Sequence, residues 1–269
     1  MLASDGVELA VTSFGGTGRP IVLLHGLMSC AESWRPRAAA LSGHGRVLAP
    51  DARGHGRSGR PDGAAPAPHG WSPHRLAADV VELLERTGPA TLVGHSMGGI
   101  SALLAAVRCP ELVRALVVED SPLDLTGVPP GLLDDMRAWF TAVAGPHPSR
   151  AELERVFGRP RPEVGVHMGS CAVRRADGWW LACDVGDALE IAAHWTRESL
   201  LDEASRVRAP LLVIEAEESV VPPGQLELLA ARVPGARHVR LPGTGHLVHD
   251  ADPQAWTAEV TALLEPRRT

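Results

Sequence analysis

Ala90-Thr91-Leu92-Val93-Gly94-His95-Ser96-Met97-Gly98-Gly99-Ile100-Ser101-Ala102-Leu103-Leu104-Ala105 is the stretch from which the rest of the chain can be read. The short apolar run Leu92-Val93 ends at Gly94-His95-Ser96-Met97-Gly98. Small and apolar residues at helical spacing follow, with no proline before Pro110. The pattern G-x-S-x-G between a strand and a helix is a nucleophile elbow, a sharp turn that holds its serine strained and projecting above a sheet. Gly94 and Gly98 lack a Cβ, so neighbouring backbone can approach closely. The helix N-terminus then aims free N–H groups at any anion formed near Ser96. A bare G-x-S-x-G match arises by chance in Gly/Ser-rich chains; the strand before it and the helix after it give this one its weight.

The chain has 269 residues, 45% of them hydrophobic, enough for one large core. Net charge is −6, with both signs mixed along the chain. There is no basic stripe, which argues against nucleic acid as a partner. No apolar run reaches the ~20 residues of a membrane span. Met1-Leu2-Ala3-Ser4-Asp5 shows neither the charged nor the apolar region of a signal peptide, so a cytoplasmic location is expected. The four cysteines (Cys30, Cys109, Cys171, Cys183) show no metal-type pairing and read as reduced thiols used mainly for packing. Tyrosine, lysine and asparagine are absent, a codon bias without bearing on chemistry.

Residues 7–14 alternate weakly and read as a strand, closed by the turn Gly15-Gly16-Thr17-Gly18. Pro20-Ile21-Val22-Leu23-Leu24 is a continuous apolar strand of the kind buried on both faces, and it ends in His25-Gly26-Leu27-Met28. Ser33 is placed to cap a helix running to about Leu41. Residues 46–49 form the next strand. After it, Asp51-Ala52-Arg53-Gly54-His55-Gly56-Arg57-Ser58-Gly59 satisfies G-x-G-x-x-G, but a dinucleotide site needs a helix opening at the last glycine. Arg60-Pro61-Asp62-Gly63 and a Pro/Ala/Gly loop follow instead, so the motif is read as a tight charged loop beside the sheet. Residues 73–86 form an amphipathic helix with Leu76, Val80, Leu83 and Leu84 on one side, stopped at Gly88. Residues 112–119 are a strand closed by Asp120-Ser121-Pro122.

From residue 123 to about 198 the strand–helix alternation breaks. Residues 131–143, 149–157 and 188–195 look helical, and the Pro/Gly/Arg-rich residues 158–169 read as a loop. This region is taken as an inserted cap (123–198) on a core made of 1–122 and 199–269. The alternation resumes with a strand at 210–215, a helix at 225–231, a strand at 236–241 and a helix at 252–264. There is no internal repeat. Such alternation implies a mostly parallel sheet with helices on both faces, and ligands bind beyond the carboxyl ends of its strands. His25-Gly26 and Ser96 both sit at such ends.

A serine hydroxyl needs a neighbouring base. His246, in Pro242-Gly243-Thr244-Gly245-His246, directly follows the last predicted strand at the same sheet edge as Ser96. His249, one turn on, is the weaker candidate. His95 flanks the serine, with its side chain expected to point away from the reacting side. An oxyanion needs two preorganised donors: the N–H of Met97 and one from the loop after residues 20–24, assigned to Leu27.

With these residues in hand, the chain resembles the α/β-hydrolase fold family, of the small bacterial kind with an inserted cap. His25-Gly26-Leu27, Asp51-Ala52-Arg53-Gly54-His55-Gly56-Arg57-Ser58, Gly94-His95-Ser96-Met97-Gly98 and Gly243-Thr244-Gly245-His246 stand where that family has them. The resemblance covers nearly everything outside the cap and is far more specific for fold than for substrate. One position departs from it. The family usually places an aspartate in the loop after the 210–215 strand, where this chain reads Glu215-Ala216-Glu217-Glu218-Ser219-Val220-Val221-Pro222 and Ser219 takes the aspartate's place. Serine cannot stabilise an imidazolium as a carboxylate does. Asp120 is the favoured replacement, then Glu218, then Glu217; the haloalkane dehalogenases of this fold carry their acid at the point equivalent to Asp120. The competing reading of Asp120 is a cap for the segment opened by Ser121-Pro122.

In the cap, Trp139, Phe140, Trp179, Trp180 and Trp195 divide between packing and the roof of an apolar substrate pocket. The four tryptophans are carried as candidate substrate-binding residues, while Arg174 and Arg175 are read as surface. The resulting expectation is a cofactor-independent, metal-free serine hydrolase of an ester, thioester or lactone of modest size and largely apolar character. Ser96 attacks, His246 shuttles the proton and an acid orients His246. Carbon–carbon bond hydrolysis is chemically adjacent. The rival is a non-hydrolytic member of the fold, a cyclase or lyase of secondary metabolism, or a ligand-binding protein using the same pocket. The partner is a small molecule, and a homodimer is compatible with the composition.

Overall fold

The computed structural model describes residues 1–61, 70–129, 131–159 and 161–265. The Asp62-Gly63 turn and the Pro/Ala/Gly loop expected after it lie outside these residues. In chain order the elements are β1 (Val11–Gly15), β2 (Pro20–Leu24), α1 (Arg35–Leu41), β3 (Arg46–Pro50), α2 (Pro73–Thr87), β4 (Ala90–His95), α3 (Met97–Arg108) and β5 (Val113–Glu119). Then come α4 (Leu132–Val143), α5 (Arg150–Phe157), α6 (Pro162–Ser170), β6 (Ala172–Arg175), β7 (Gly178–Leu181) and α7 (Val185–Trp195). The chain closes with β8 (Leu211–Glu218), α8 (Gln225–Ala231), β9 (Arg237–Gly245), α9 (Val248–Ala251) and α10 (Pro253–Leu264).

Seven strands form one sheet in the order β1-β3-β2-β4-β5-β8-β9. β1 runs antiparallel to β3, and every other neighbouring pair is parallel. The alternation of strand side chains sorts the core into two layers. Val22, Leu24, Leu92, Leu116 and Val213 pack with residues of α2, α3 and α8, such as Leu84, Leu103 and Leu229. Ile21, Leu23, Val93, Val117, Leu212 and Ile214 pack on the other face with Trp34, Leu41, Trp256 and Val260. This is the α/β-hydrolase fold, with helices on both faces and an insertion between β5 and β8. The insertion has its own apolar cluster (Phe140, Leu153, Phe157, Met168, Leu181, Leu189) that reaches the main body at Met28.

Two local expectations are corrected. Most of the loop expected at residues 158–169 is helical, since α6 runs from Pro162 to Ser170. Its glycines serve contact: a Cβ on Gly165 would lie 2.1 Å from the Glu154 carbonyl oxygen, and one on Gly169 2.4 Å from Glu154 Cγ, so α6 meets the backbone of α5 at Gly165 and the Glu154 side chain at Gly169. Ser33 does not cap α1, since its hydroxyl donates to the Cys30 carbonyl inside the 3-10 turn Ala31–Trp34 that precedes the helix. The β6–β7 hairpin went unread because its strands are four residues long and half-polar. The Asp51-to-Gly59 motif is a tight loop as read, closed by Gly54 N–H donating to Gly59 O at 2.9 Å.

Candidate active site

β4 turns into α3 at Ser96, whose φ of 52° and ψ of −119° lie where L-residues rarely go. The flanking glycines make this turn feasible. A Cβ on Gly94 would sit 2.3 Å from the Gly98 oxygen, and one on Gly98 would sit 2.1 Å from the Leu24 oxygen. The β2 loop therefore passes directly over the elbow, where even a Cβ on Gly26 would be 3.3 Å from Ser96 Cβ. The Met97 N–H opens α3 and is one of the donors that a helix start leaves without an intrahelical acceptor. Leu27 lies in the β2 loop, and its residue lines the same cavity as Ser96.

Sheet register brings the acid beside the nucleophile. His95 on β4 pairs with Glu119 on β5, so Ser96 and Asp120 are the next residues on neighbouring parallel strands. Asp120 is fully buried with φ of 42°. His246 Nδ1–H donates to Asp120 Oδ2 at 2.7 Å. The other carboxylate oxygen accepts from the Ser219 hydroxyl at 2.6 Å and from Ala216 N–H at 3.1 Å. Ser219, at the position where an aspartate is usual, thus hydrogen-bonds the aspartate that reaches His246 from β5. The glutamates face elsewhere. Glu218 pairs with Arg161 at 2.8 Å, and Glu217 accepts from Gly243 N–H at 2.7 Å.

A second carboxylate–imidazole pair lies beside the first. Glu119 Oε1 accepts from His249 Nδ1–H at 2.8 Å and from its backbone N–H at 3.0 Å, while Oε2 accepts from Trp256 Nε1–H at 2.8 Å. Burial opposes charging His249, but Glu119 and Asp250 outweigh it and raise its pKa. No sequence signal marked Glu119, whose position at a strand end looks like any other.

His95 departs from its expected orientation. It lines the cavity, its ring centroid is 4.5 Å from that of His246, and its Nε2–H donates to the His246 carbonyl at 2.9 Å. Burial, with repulsion from His246, His249 and His167, holds its pKa well below the usual histidine range. It is a neutral prop under the loop that carries His246.

Ser96 and His246 open into a cavity of about 640 Å³ lined mainly by apolar side chains. Of the four candidate tryptophans, Trp139 and Trp195 line it. Trp179 and Trp180 do not: they sit on β7, where Trp179 exchanges backbone hydrogen bonds with His147 and Trp180 Nε1–H donates to Asp177. Arg175 lies over the Trp180 ring, 4.9 Å from its centroid, and both Arg174 and Arg175 are exposed. Among the described residues, His167, His249 and Asp250 bring three ligating atoms within 4.8 Å of one another. Two of those atoms already satisfy each other, with His167 Nδ1–H donating to Asp250 at 2.7 Å. No helix among the described residues is long and apolar enough to cross a membrane.

Comparison with known proteins identifies the family and fold. Residues 21–260 match the alpha/beta hydrolase family. The chain is 26% identical to the 2-(acetamidomethylene)succinate hydrolase of Mesorhizobium japonicum over 265 residues, 93% of this chain and 89% of that one. A crystal structure of E-2-(acetamidomethylene)succinate hydrolase superposes with a TM-score of 0.82 at 23% identity, covering 98% of both chains. The enol-lactonase of Burkholderia xenovorans LB400 gives 0.76 at 25% identity, over 96% of this chain and 97% of that one.

Proposed function

The chain belongs to the alpha/beta hydrolase family, and on that premise we propose that it is a cofactor-independent serine hydrolase acting on an ester, thioester or lactone of a largely apolar acid. The observation that carries the proposal is the 2.7 Å hydrogen bond from His246 Nδ1 to the buried Asp120 carboxylate, at the same sheet edge as Ser96 in its strained elbow. Holding Nδ1–H on Asp120 leaves the Nε2 lone pair as the base. In this reading Nε2 takes the Ser96 proton as Oγ attacks the carbonyl carbon. The tetrahedral oxyanion is met by the N–H groups of Met97 and Leu27. His246 then returns the proton to the leaving alcohol or thiol, and a water activated the same way releases the acid and restores Ser96.

Residues 123–198 act as a cap, with Trp139 and Trp195 against the substrate. The apolar lining of the cavity supports an apolar acyl group, and the relatives named as a hydrolase and a lactonase support hydrolysis as the reaction. The test is covalent. A fluorophosphonate probe should add to Ser96, located by mass spectrometry of the digested adduct, and Ser96→Ala should lose p-nitrophenyl butyrate turnover by roughly 10⁴ to 10⁶. Retention of more than a tenth of the activity in Ser96→Ala would sink the assignment.

A further inference from the structure

Away from Ser96, His95, His246 and Ser219, the cavity lining is apolar except where the β2 loop and α6 meet. There Ser29 Oγ lies 2.8 Å from His167 Nε2, and His167 Nδ1–H donates to Asp250 at 2.7 Å. Ser29 and His167 both line the cavity, although each residue is at least nine-tenths buried. The three residues come from three places: Ser29 from the loop after β2, His167 from α6 in the insertion, and Asp250 from α9. Resting on the serine-hydrolase reading above, we propose that Ser29 and His167 form a polar subsite that reads a neutral hydroxyl on the substrate's acyl chain.

Hydrogen-bond accounting selects the ligand. Asp250 fixes the proton of His167 on Nδ1, so Nε2 is an acceptor toward Ser29. Ser33 Oγ lies 3.0 Å from Ser29 Oγ, but its own proton is spent on the Cys30 carbonyl at 2.8 Å. Cys171 Sγ lies 3.7 Å away, a weak partner. The single Ser29 proton is therefore shared between His167 and Ser33, and the Ser29 oxygen keeps acceptor capacity toward the cavity. A ligand O–H meets that need. A ligand carboxylate does not, because Asp250 stands behind the imidazole. Burial also lowers the pKa of His167, against the opposing pull of Asp250, which keeps the subsite uncharged.

The backbone sets the distance from the reacting centre. Ser29 N–H donates to Gly26 O at 3.2 Å and closes a turn over residues 26–29. Met28 holds φ of 63° at the third position of that turn, as type II geometry requires. The ends of such a turn are less than ~7 Å apart, and Gly26 abuts Ser96. The hydroxyl read by Ser29 therefore sits about three to six carbons from the scissile carbonyl.

Binding to the Ser96→Ala chain tests this independently of turnover. Methyl ketones of eight to ten carbons serve as uncleaved ester mimics, each compared with isomers hydroxylated three to six carbons from the carbonyl. Binding is read through quenching of Trp139 and Trp195. At least one hydroxy isomer should bind about tenfold tighter than the plain ketone. Ser29→Ala should bring that ratio to within about twofold of one, and His167→Gln, which keeps an acceptor for Ser29, should retain part of it. A hydrogen-bonded latch between α6 and the main body would lower the melting temperature of both variants but leave the ratio intact, and that result overturns the proposal. So does a series in which no hydroxy isomer is preferred. Failure of Ser96 to label, with the ratio still present and Ser29-dependent, would remove the serine-hydrolase reading and leave the subsite standing.

Discussion

Asp120 has every hydrogen bond a triad acid needs, and each comes from a different element: His246 after β9, Ser219 after β8 and the backbone of Ala216. If it fixes the His246 tautomer, Asp120→Asn should lower kcat by about 10⁴ with the fold intact. Glu218→Gln and Glu217→Gln should be nearly silent, because those carboxylates hold Arg161 and the Gly243 amide. The three variants assayed side by side on one ester check this, and a large loss at either glutamate would reverse the assignment. Ser219→Ala removes one of the donors to Asp120 and should cost about tenfold in kcat/KM, since a hydrogen bond to a charged group contributes roughly 1.5 to 3 kcal/mol and Ala216 N–H remains. Steady-state kinetics of Ser219→Ala against Ser219→Thr, which keeps the hydroxyl, separate this from a packing effect. At this scale the sequence was informative where a residue broke a pattern: a serine in the usual acid position put Asp120 ahead of Glu218 and Glu217 as the replacement, with a capping role as its rival. It misplaced the side chain of His95 and was silent on Glu119, because side-chain direction and pairing across strands are not encoded in local spacing.

The elbow is an element whose geometry is decided by what is missing from it. A Cβ on Gly98 meets backbone of β2 and its loop, at 2.1 Å from Leu24 O and 2.8 Å from His25 O, and backbone cannot swing aside as a flexible side chain would. Gly98→Ala should therefore destabilise the protein by at least about 2 kcal/mol, the usual range for overpacking a fixed contact. Gly43→Ala, where a Cβ meets nothing within 4 Å, should change stability by less than about 0.5 kcal/mol. Urea unfolding of both variants gives the comparison, and equal effects would refute the steric account. The strands and helices of the main body were legible because burial on both sheet faces demands continuous apolar runs and helical stripes, as in β2 and α2. The insertion was less so. In α6 the glycines that resemble loop formers are the surfaces on which α5 packs, so composition and tertiary contact point in opposite directions.

Across the whole molecule the loops at the carboxyl edge are braced by histidines that must stay neutral. His25 Nε2 accepts from Ala52 N–H at 2.9 Å, and its Nδ1–H donates to Gly26 O at 2.8 Å. His55 Nε2 accepts from Met28 N–H at 3.1 Å, and its Nδ1–H donates to Arg53 O at 2.9 Å. These bonds tie the Asp51-to-Gly59 loop to the Gly26–Ser29 turn, and protonating either ring replaces an acceptor with a donor facing a donor. Burial, with repulsion from His25, lowers the His55 pKa to about 3, and burial also lowers that of His25. The unfolded chain takes up these protons near pH ~6.5 while the native state refuses them, so it binds more protons and stability falls as pH drops below ~6.5. His95 and His167 are lowered as well and act in the same direction. His249, whose pKa is raised, and Asp187, which burial pushes up to about 6, act in the opposite one. His55 alone contributes a slope of about 1.4 kcal/mol per pH unit between roughly pH 6 and 4. His55→Gln keeps an acceptor for the Met28 amide but cannot titrate. Unfolding free energies of both proteins, measured by urea denaturation from pH 7.5 to 4.5, should therefore give a shallower line for the variant by about that amount. Parallel lines for the two proteins would show that His55 is protonated in the native state and that the neutral brace does not exist.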